Sequence, residues 1–197
     1  MNDQRDNDDV LLAGVMAGDS AAFDAWFRRD HPVVWRFAYG IVGHRSEADD
    51  LAQDAMLQLH DKLETRDPSH SYGAWRDALV LNLCRDRLRR RATRLRAETG
   101  AGEERATRSV QASSAELERA DLQAVLARAL EQLSERERAA FVLRELEGRT
   151  TLHVAAVLEI GESSVRSLLT LARRRLRAVL GERFDPRPAA AREASDG

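Results

Sequence analysis

The chain has 197 residues, of which 43% are hydrophobic, and its formal net charge at pH 7 is −2. This length is enough for one medium domain or two small ones with hydrophobic cores, and the charge excludes a chain that is basic overall. Its single cysteine, Cys84, excludes an intrachain disulfide and a cysteine-rich zinc site. No stretch approaches the roughly 18 apolar residues of a membrane span, so we expect a cytoplasmic protein without membrane insertion.

Charge is segregated along the chain. Residues 1–9 carry four Asp and one Arg, and residues 45–67 carry seven acidic and three basic side chains. Residues 85–96 carry seven Arg against the single Asp86. Separation of this kind predicts two different partners, one basic and one polyanionic.

The first half is predicted to be helical. A short amphipathic helix carries Leu11, Leu12, Val15 and Met16, and Gly18-Asp19 ends it and caps the next helix. Two further helices are predicted to be separated near Pro32, because proline disfavours helix in the residue before it. Ser46 with Asp49 is a capping signal for a helix whose buried stripe is formed by Leu51, Ala55, Leu59 and Leu63.

A loop is predicted over residues 67–71, followed by a long helix from about Tyr72 that carries Trp75, Leu79, Leu83 and Leu88 and ends in arginines. Composition changes near residue 93, where small and charged residues replace large apolar ones. This change predicts a flexible linker over residues 93–114. The Pro- and Ala-containing segment 181–197 is predicted to be a disordered tail.

Residues 133–180 have the pattern of a helix-turn-helix. Ser134 and Glu137 form a capping box, Phe141, Val142, Leu143 and Leu146 supply an apolar side, and Gly148 ends the helix. Thr150 or Thr151 caps a second helix with Val154, Ala155, Val157 and Leu158, and residues 159–161 form the turn. On the last helix Val165, Leu169, Ala172 and Leu176 share one stripe, opposite an Arg-rich face suited to phosphates and base edges. The alternative for such a face is an ordinary solvated helix surface.

Several segments, in this order, resemble the extracytoplasmic-function sigma factors, the small two-domain initiation subunits of bacterial RNA polymerase. They are residues 17–23 (AGDSAAF), 48–54 (ADDLAQD), Ala74-Trp75, Asn82-Leu83, 86–90 (DRLRR), 141–148 (FVLRELEG) and 172–176 (ARRRL). The resemblance implies an all-α fold of two small helical domains joined by a flexible linker. Its divisions are 8–92 (promoter melting and polymerase binding), 93–114 (linker), 115–180 (helix-turn-helix, minus-thirty-five binding) and 181–197 (tail).

The resemblance also implies two partners, core RNA polymerase and promoter DNA. The polymerase-binding residues would be Asp50, Gln53, Asp54 and Leu57. The minus-ten element, where bases are unstacked, would be contacted by Trp75, Asn82, Arg85, Asp86, Arg89 and Arg90; for Trp75, a core position is the alternative. The minus-thirty-five duplex would be contacted by Ser164, Arg166, Ser167, Thr170, Arg173 and Arg174.

The chain departs from the family pattern at a few positions. Basic or His side chains are usual where this sequence has Leu168, Thr170 and Leu171, Gly is usual at Glu159, and Trp is usual at His60. An exposed Leu on the last helix could contact thymine methyl groups or a protein. Two alternatives therefore stay open: a stand-alone helix-turn-helix regulator, and a sigma-like adaptor that binds a regulatory protein.

We do not expect this protein to be an enzyme. The five histidines lack metal-ligand spacing, and Asp49, Asp50 and Asp54, which could chelate magnesium, have no nucleophile, general base or phosphate loop beside them. We therefore expect no catalytic residue, cofactor or metal. Because two domains on one tether can be clamped by a single regulator, an anti-sigma factor is expected as a further partner.

Overall fold

The computed structural model describes residues 3–67, 70–98 and 125–181, and all regular structure within these ranges is helical. The helices are α1 (Asp3–Met16), α2 (Ser20–Val42), α3 (Arg45–Asp61), α4 (Tyr72–Glu98), α5 (residues 125–131), α6 (Glu135–Phe141), α7 (Thr151–Leu158) and α8 (Glu162–Leu180). A π-helical turn, Val142–Leu146, continues α6. The all-α fold class is confirmed.

The first domain packs α1, α3 and α4 around the long helix α2. Trp26 and Phe37 of α2, Leu59 of α3 and Leu81 of α4 are fully buried in its core. Asp19 begins α2 by accepting the backbone N–H of Ala21 at 2.8 Å, as the capping signal predicts. Of the predicted apolar side of α1, Leu12 and Val15 are buried, whereas Met16 at the helix end is 46% exposed.

The predicted break near Pro32 is wrong, because α2 continues through it. An interior proline removes one backbone hydrogen bond and costs about 3 kcal/mol. Continuing the helix, however, places Val34, Phe37 and Ile41 in the same core as Trp26. Each of these side chains contributes about 1.5–3 kcal/mol when buried, so packing outweighs the local cost.

Two other predicted boundaries are also wrong. The helix α3 begins at Arg45 with His44 as its N-terminal cap, and Ser46 lies inside the helix with its hydroxyl 3.2 Å from the His44 ring. The helix α4 extends to Glu98, six residues into the predicted linker, because Arg94, Leu95 and Arg96 are good helix formers. Residues 99–114 of the linker and 182–197 of the tail lie outside the described residues, as do Pro68 and Ser69 of the predicted loop.

The helix-turn-helix of the second domain is confirmed. Ser134 and Glu137 form the complete capping box, Thr150 caps α7, and Gly148 has a positive φ of 66°. The predicted α8 stripe is buried, and α8 packs against α6 and α7. Leu146 is the exception, since it is 43% exposed. The π turn, in which Glu147 N–H bonds to Val142 O, carries Leu146 beyond the apolar side.

The turn between α7 and α8 contains the one described non-glycine residue with a positive φ. Glu159 adopts φ 53° and ψ 47°, in the left-handed helical region, and its side chain is exposed. For a residue with a Cβ this conformation costs about 1–2 kcal/mol. The turn that orients α8 is therefore strained at a position where the resemblance expects glycine.

The two domains are in contact. α4 packs against α7, and α2 packs against the π turn. Among the described helices, none is both long and apolar enough to cross a membrane.

Candidate nucleic-acid and protein interfaces

The exposed side of α3 carries the four residues expected to bind polymerase. We call this set, Asp50, Gln53, Asp54 and Leu57, the acidic face of α3; all four are exposed, and Leu57 is 66% exposed. Their spacing of three or four residues places them on one side of the helix, because Leu51, Ala55 and Leu59 occupy the core side. An exposed apolar side chain among carboxylates is typical of a protein interface, where the charges steer the partner and apolar burial supplies affinity.

The residues expected to contact the minus-ten element follow one side of α4. Trp75, Asn82, Asp86 and Arg89 are seven, four and three residues apart, a spacing that aligns them on a helix. Asn82, Asp86, Arg89 and Arg90 are exposed, and Asp86 accepts a hydrogen bond from Arg89 at 3.3 Å. Arg85 is half-buried, close to the Asn82 amide, and forms an ion pair with Glu135 of the second domain.

Trp75 occupies the beginning of this row and is half-buried. It packs against the first domain's core, with its ring 5.9 Å from the Tyr72 ring. The indole therefore contacts the core, and its partly accessible ring lies in line with Asn82.

The helix α8 presents the residues expected to read the minus-thirty-five element. Ser164, Arg166, Ser167, Thr170 and Arg174 are exposed, opposite or beside the buried stripe. The Ser167 hydroxyl donates to Ser163 O and the Thr170 hydroxyl to Arg166 O, which leaves their oxygens as acceptors on the surface. Leu168 packs at the core edge, and Leu171 is 37% exposed.

Arginines on α8 also fix the helix to its own domain. Arg173 forms an ion pair with the buried Glu145, and Arg175 forms one at 2.8 Å with the buried Glu137 of the capping box. Both side chains remain partly accessible to solvent, because Arg173 is 39% exposed and Arg175 is 48% exposed. These pairs tie α8 to α6 and to the π turn that continues α6.

A buried polar network that sequence reasoning missed lies where α4 begins. Trp26 Nε1 donates to the Tyr72 hydroxyl at 2.6 Å, and that hydroxyl donates to Asp30 at 3.0 Å. Arg76 forms an ion pair with the same carboxylate. Burial, together with the nearby Asp30 charge, raises the pKa of Tyr72, so this hydroxyl stays protonated and can serve as the donor.

A second buried cluster, also missed, joins the two domains at Asp77 of α4. Arg76 lies 2.9 Å from Asp77 Oδ1, while Arg149 and the His153 ring of the second domain lie 3.0 and 2.8 Å from Oδ2. Burial by itself raises the pKa of Asp77, but the His153 hydrogen bond and the Arg76 and Arg149 charges outweigh it and hold the pKa below the usual range. Asp77 is therefore a buried carboxylate, ionised and held from both domains.

The sequence contains a signal for both clusters. Asp30 lies four residues after Trp26 and four before Val34, inside an otherwise apolar stripe of α2. Asp77 likewise lies between Ala74 and the buried Val80 and Leu81 of α4. Charges in an apolar stripe predict buried partners, although they do not reveal which residues those are.

Both domains match known protein families. Residues 26–94 match the family Sigma-70 region 2, and residues 123–176 match Sigma-70, region 4. Over 175 residues the chain is 34% identical to the ECF RNA polymerase sigma factor SigM of Mycobacterium tuberculosis. The aligned region covers 89% of this chain and 85% of SigM. It is 30% identical over 172 residues to SigL of the same species, with 87% and 96% covered.

Two solved structures share the fold. CnrH in complex with the cytosolic domain of CnrY gives a TM-score of 0.67 at 24% identity, covering 89% of this chain and 97% of that one. The sigma factor RpoE, in complex with the anti-sigma factor NepR from Bartonella quintana, gives a TM-score of 0.66 at 24% identity, covering 82% and 98%.

Proposed function

This chain belongs to the extracytoplasmic-function RNA polymerase sigma factors, and we propose that three of its surfaces have separate binding roles in transcription initiation. As a sigma factor it binds core RNA polymerase and directs promoter-specific transcription initiation. In our proposal the acidic face of α3 binds polymerase, the exposed row on α4 holds the melted minus-ten strand, and α8 reads the minus-thirty-five duplex.

The observation that carries the docking assignment is the acidic face itself. Three polar side chains and the 66% exposed Leu57 form one continuous side of a helix whose opposite side is fully anchored in the core. When a partner covers an exposed leucine on such a helix, the burial of its apolar surface stabilises the complex. The carboxylates suit a basic partner surface, which agrees with the charge segregation of the sequence.

The two DNA surfaces differ in the chemistry that they offer. On α4, an amide and a partly accessible indole lie in line with arginines, a combination that stacks on and hydrogen-bonds exposed bases. On α8, Ser164, Arg166 and Ser167 lie near the N-terminal end of a helix in a helix-turn-helix, where base edges are read. Arg174 lies farther along and suits a phosphate.

We assign no catalytic role to the chain, because polymerase carries out the chemistry, and we place its action in the cytoplasm with polymerase and the chromosome. An anti-sigma factor is proposed as a further partner. The fold shared with RpoE, solved bound to the anti-sigma factor NepR, supports this proposal. The half-buried position of Leu168 reduces the exposed apolar surface on which the adaptor alternative depends.

The test substitutes Asp54→Arg in the full chain, with Asp24→Arg, an exposed carboxylate on α2 away from this face, as the control. Asp54→Arg should abolish co-purification with core polymerase and promoter-specific transcription in vitro, whereas Asp24→Arg should preserve both. Tight binding of the wild-type chain to duplex DNA without any binding to polymerase would instead support a stand-alone regulator. Equal activity of the two variants would refute the assignment of α3.

A further inference from the structure

One apolar side chain lies among the polar residues with which α8 is proposed to read DNA. Leu171 is 37% exposed; it follows Ser164 and Ser167 by seven and four residues and precedes Arg174 by three. This spacing places the four residues on one side of the helix, because residues three, four and seven apart share a face. The buried stripe from Val165 to Leu176 occupies the opposite side, so core packing does not account for Leu171.

Helix geometry brings the Leu171 side chain toward the part of α8 that is proposed to read bases. The helix begins at Glu162, so Leu171 lies nine residues, or about 14 Å, along its axis. A leucine on a helix leans toward the N-terminal end and covers the residues three and four positions before it. For Leu171 these are the half-buried Leu168 and the exposed Ser167, whose hydroxyl donates to Ser163 O. Because serine is small, the leucine methyl groups reach the same level of the groove as Ser167.

The positive charges next to Leu171 are largely balanced within the protein. Arg173 forms an ion pair with Glu145 and Arg175 forms one with Glu137, and both carboxylates are buried. A phosphate group therefore gains little at this point of the helix. An apolar group on a base edge is the better complement to an uncharged, apolar side chain.

Thymine is the base that presents such a group in the major groove. Its C5-methyl lies there, whereas adenine, guanine and cytosine present hydrogen-bond donors and acceptors. Leucine has neither a donor nor an acceptor, so against the other bases it would cover polar atoms without replacing their hydrogen bonds with water. In a helix-turn-helix the second helix, here α8, is the one that enters the major groove.

A protein partner is a poorer complement to this surface. Val179 is the other exposed large apolar residue of α8, and it lies eight residues, or about 12 Å, from Leu171. The two side chains therefore form no continuous apolar patch of the kind that marks a protein-binding site. Polar and basic side chains lie around Leu171 instead, as on surfaces that bind DNA.

We propose that Leu171 is a specificity-determining residue, which selects thymine at one position of the minus-thirty-five element by covering its 5-methyl group. The inference rests on the proposed function, because it adds a base contact to the α8 surface. Ser167 and Arg174 supply the polar contacts that fix the position of the helix on the duplex, and Leu171 supplies the choice of base.

A binding selection identifies the thymine position. The starting DNA is a promoter located by mapping transcript start sites after overexpression, randomised over its minus-thirty-five region. One pool contains thymine, and a second contains uracil, which lacks only the methyl group. Holoenzyme made from the full chain and core polymerase should select thymine at one position in the first pool and show no preference for uracil there in the second. Leu171→Ala should lose that preference and retain the others.

Affinities for single duplexes measure the contact. Replacing the selected thymine by uracil should weaken binding of the wild-type holoenzyme about 4-fold, which is the effect expected for burial of one methyl group. In Leu171→Ala the same replacement should change affinity less than ~1.5-fold, because the side chain that covers the methyl group is absent. The control Val179→Ala shortens the other exposed apolar side chain of α8 and should retain the full effect. Circular dichroism will check that both variants keep their helices.

Methylated cytosine provides the converse test. At the selected position, 5-methylcytosine presents a methyl group at the same place in the groove as thymine, whereas cytosine does not. The wild-type holoenzyme should bind the 5-methylcytosine duplex about 4-fold more tightly than the cytosine duplex. Leu171→Ala should bind the two equally.

Equal effects of the methyl group in the wild type and in Leu171→Ala would overturn the proposal. A wild-type preference that nowhere depends on the thymine methyl group would overturn it as well. A wild-type holoenzyme that selects no sequence in the minus-thirty-five region would count against the proposed function of α8 instead, so the two failures are distinguishable.

Discussion

Leu57 should be the main apolar contributor to polymerase binding. Its side chain is 66% exposed at the end of the acidic face of α3. Complete burial of a leucine contributes about 1.5–3 kcal/mol, so covering the two thirds that remain exposed should contribute about 1–2 kcal/mol. Leu57→Ala should therefore weaken binding to core polymerase by about 5- to 30-fold, since 1.4 kcal/mol corresponds to a factor of ten.

The assay is a titration of labelled protein with core polymerase, followed by fluorescence anisotropy. Leu152→Ala is the matched control, because Leu152 is 64% exposed on α7 of the second domain. Alanine is the best helix former, so neither variant should unfold its helix, and circular dichroism will check this. Equal losses of affinity in both variants, or no loss in Leu57→Ala, would refute the argument that α3 is covered by polymerase.

Three further predictions concern single positions. Glu159→Gly should relieve the left-handed strain and raise the free energy of unfolding by about 1 kcal/mol in a denaturant titration, whereas Glu159→Ala, which keeps the Cβ, should not; equal effects would point to charge instead. Arg174→Gln should make the dependence of log affinity on log salt shallower by about 0.9 for polymerase holoenzyme on promoter duplex, and an unchanged slope would exclude a phosphate contact. Asp77→Asn should lower the free energy of unfolding by about 3 kcal/mol at pH 7. Because the folded-state pKa of Asp77 is lowered, its stabilisation is fully present above the pKa of the unfolded carboxyl and is lost as the pH falls through the folded-state pKa, so the wild type should lose more stability on acidification than Asp77→Asn, and parallel curves would contradict this.

Local signals predicted the second domain well. The capping box at Ser134, the cap at Thr150 and the stripe from Val165 to Leu176 each depend on residues a few positions apart, which is the range that sequence patterns report. The continuation of α2 through Pro32 was not predictable in this way, because the deciding energy comes from packing against other helices.

The contact between domains was beyond sequence reasoning for the same reason. Asp77 and His153 are 76 positions apart, and no periodicity relates them. The apolar stripe around Asp77 indicates that the carboxylate is buried, but only the fold brings Arg149 and His153 to it. Most of the residues predicted to contact polymerase and DNA are exposed on α3, α4 and α8, whereas Trp75, Arg85 and Arg173 are half-buried, and the contacts themselves remain predictions.

The chain's one thiol has a consequence for how the protein is switched on. Cys84 is buried in the first domain, and burial raises the pKa of its thiol to about 12, so the reactive thiolate is scarcely populated at neutral pH. Peroxides and electrophiles should therefore react with this thiol only slowly. If oxidative stress induces the genes that this sigma factor controls, a reactive cysteine that senses the stress has to lie on another molecule.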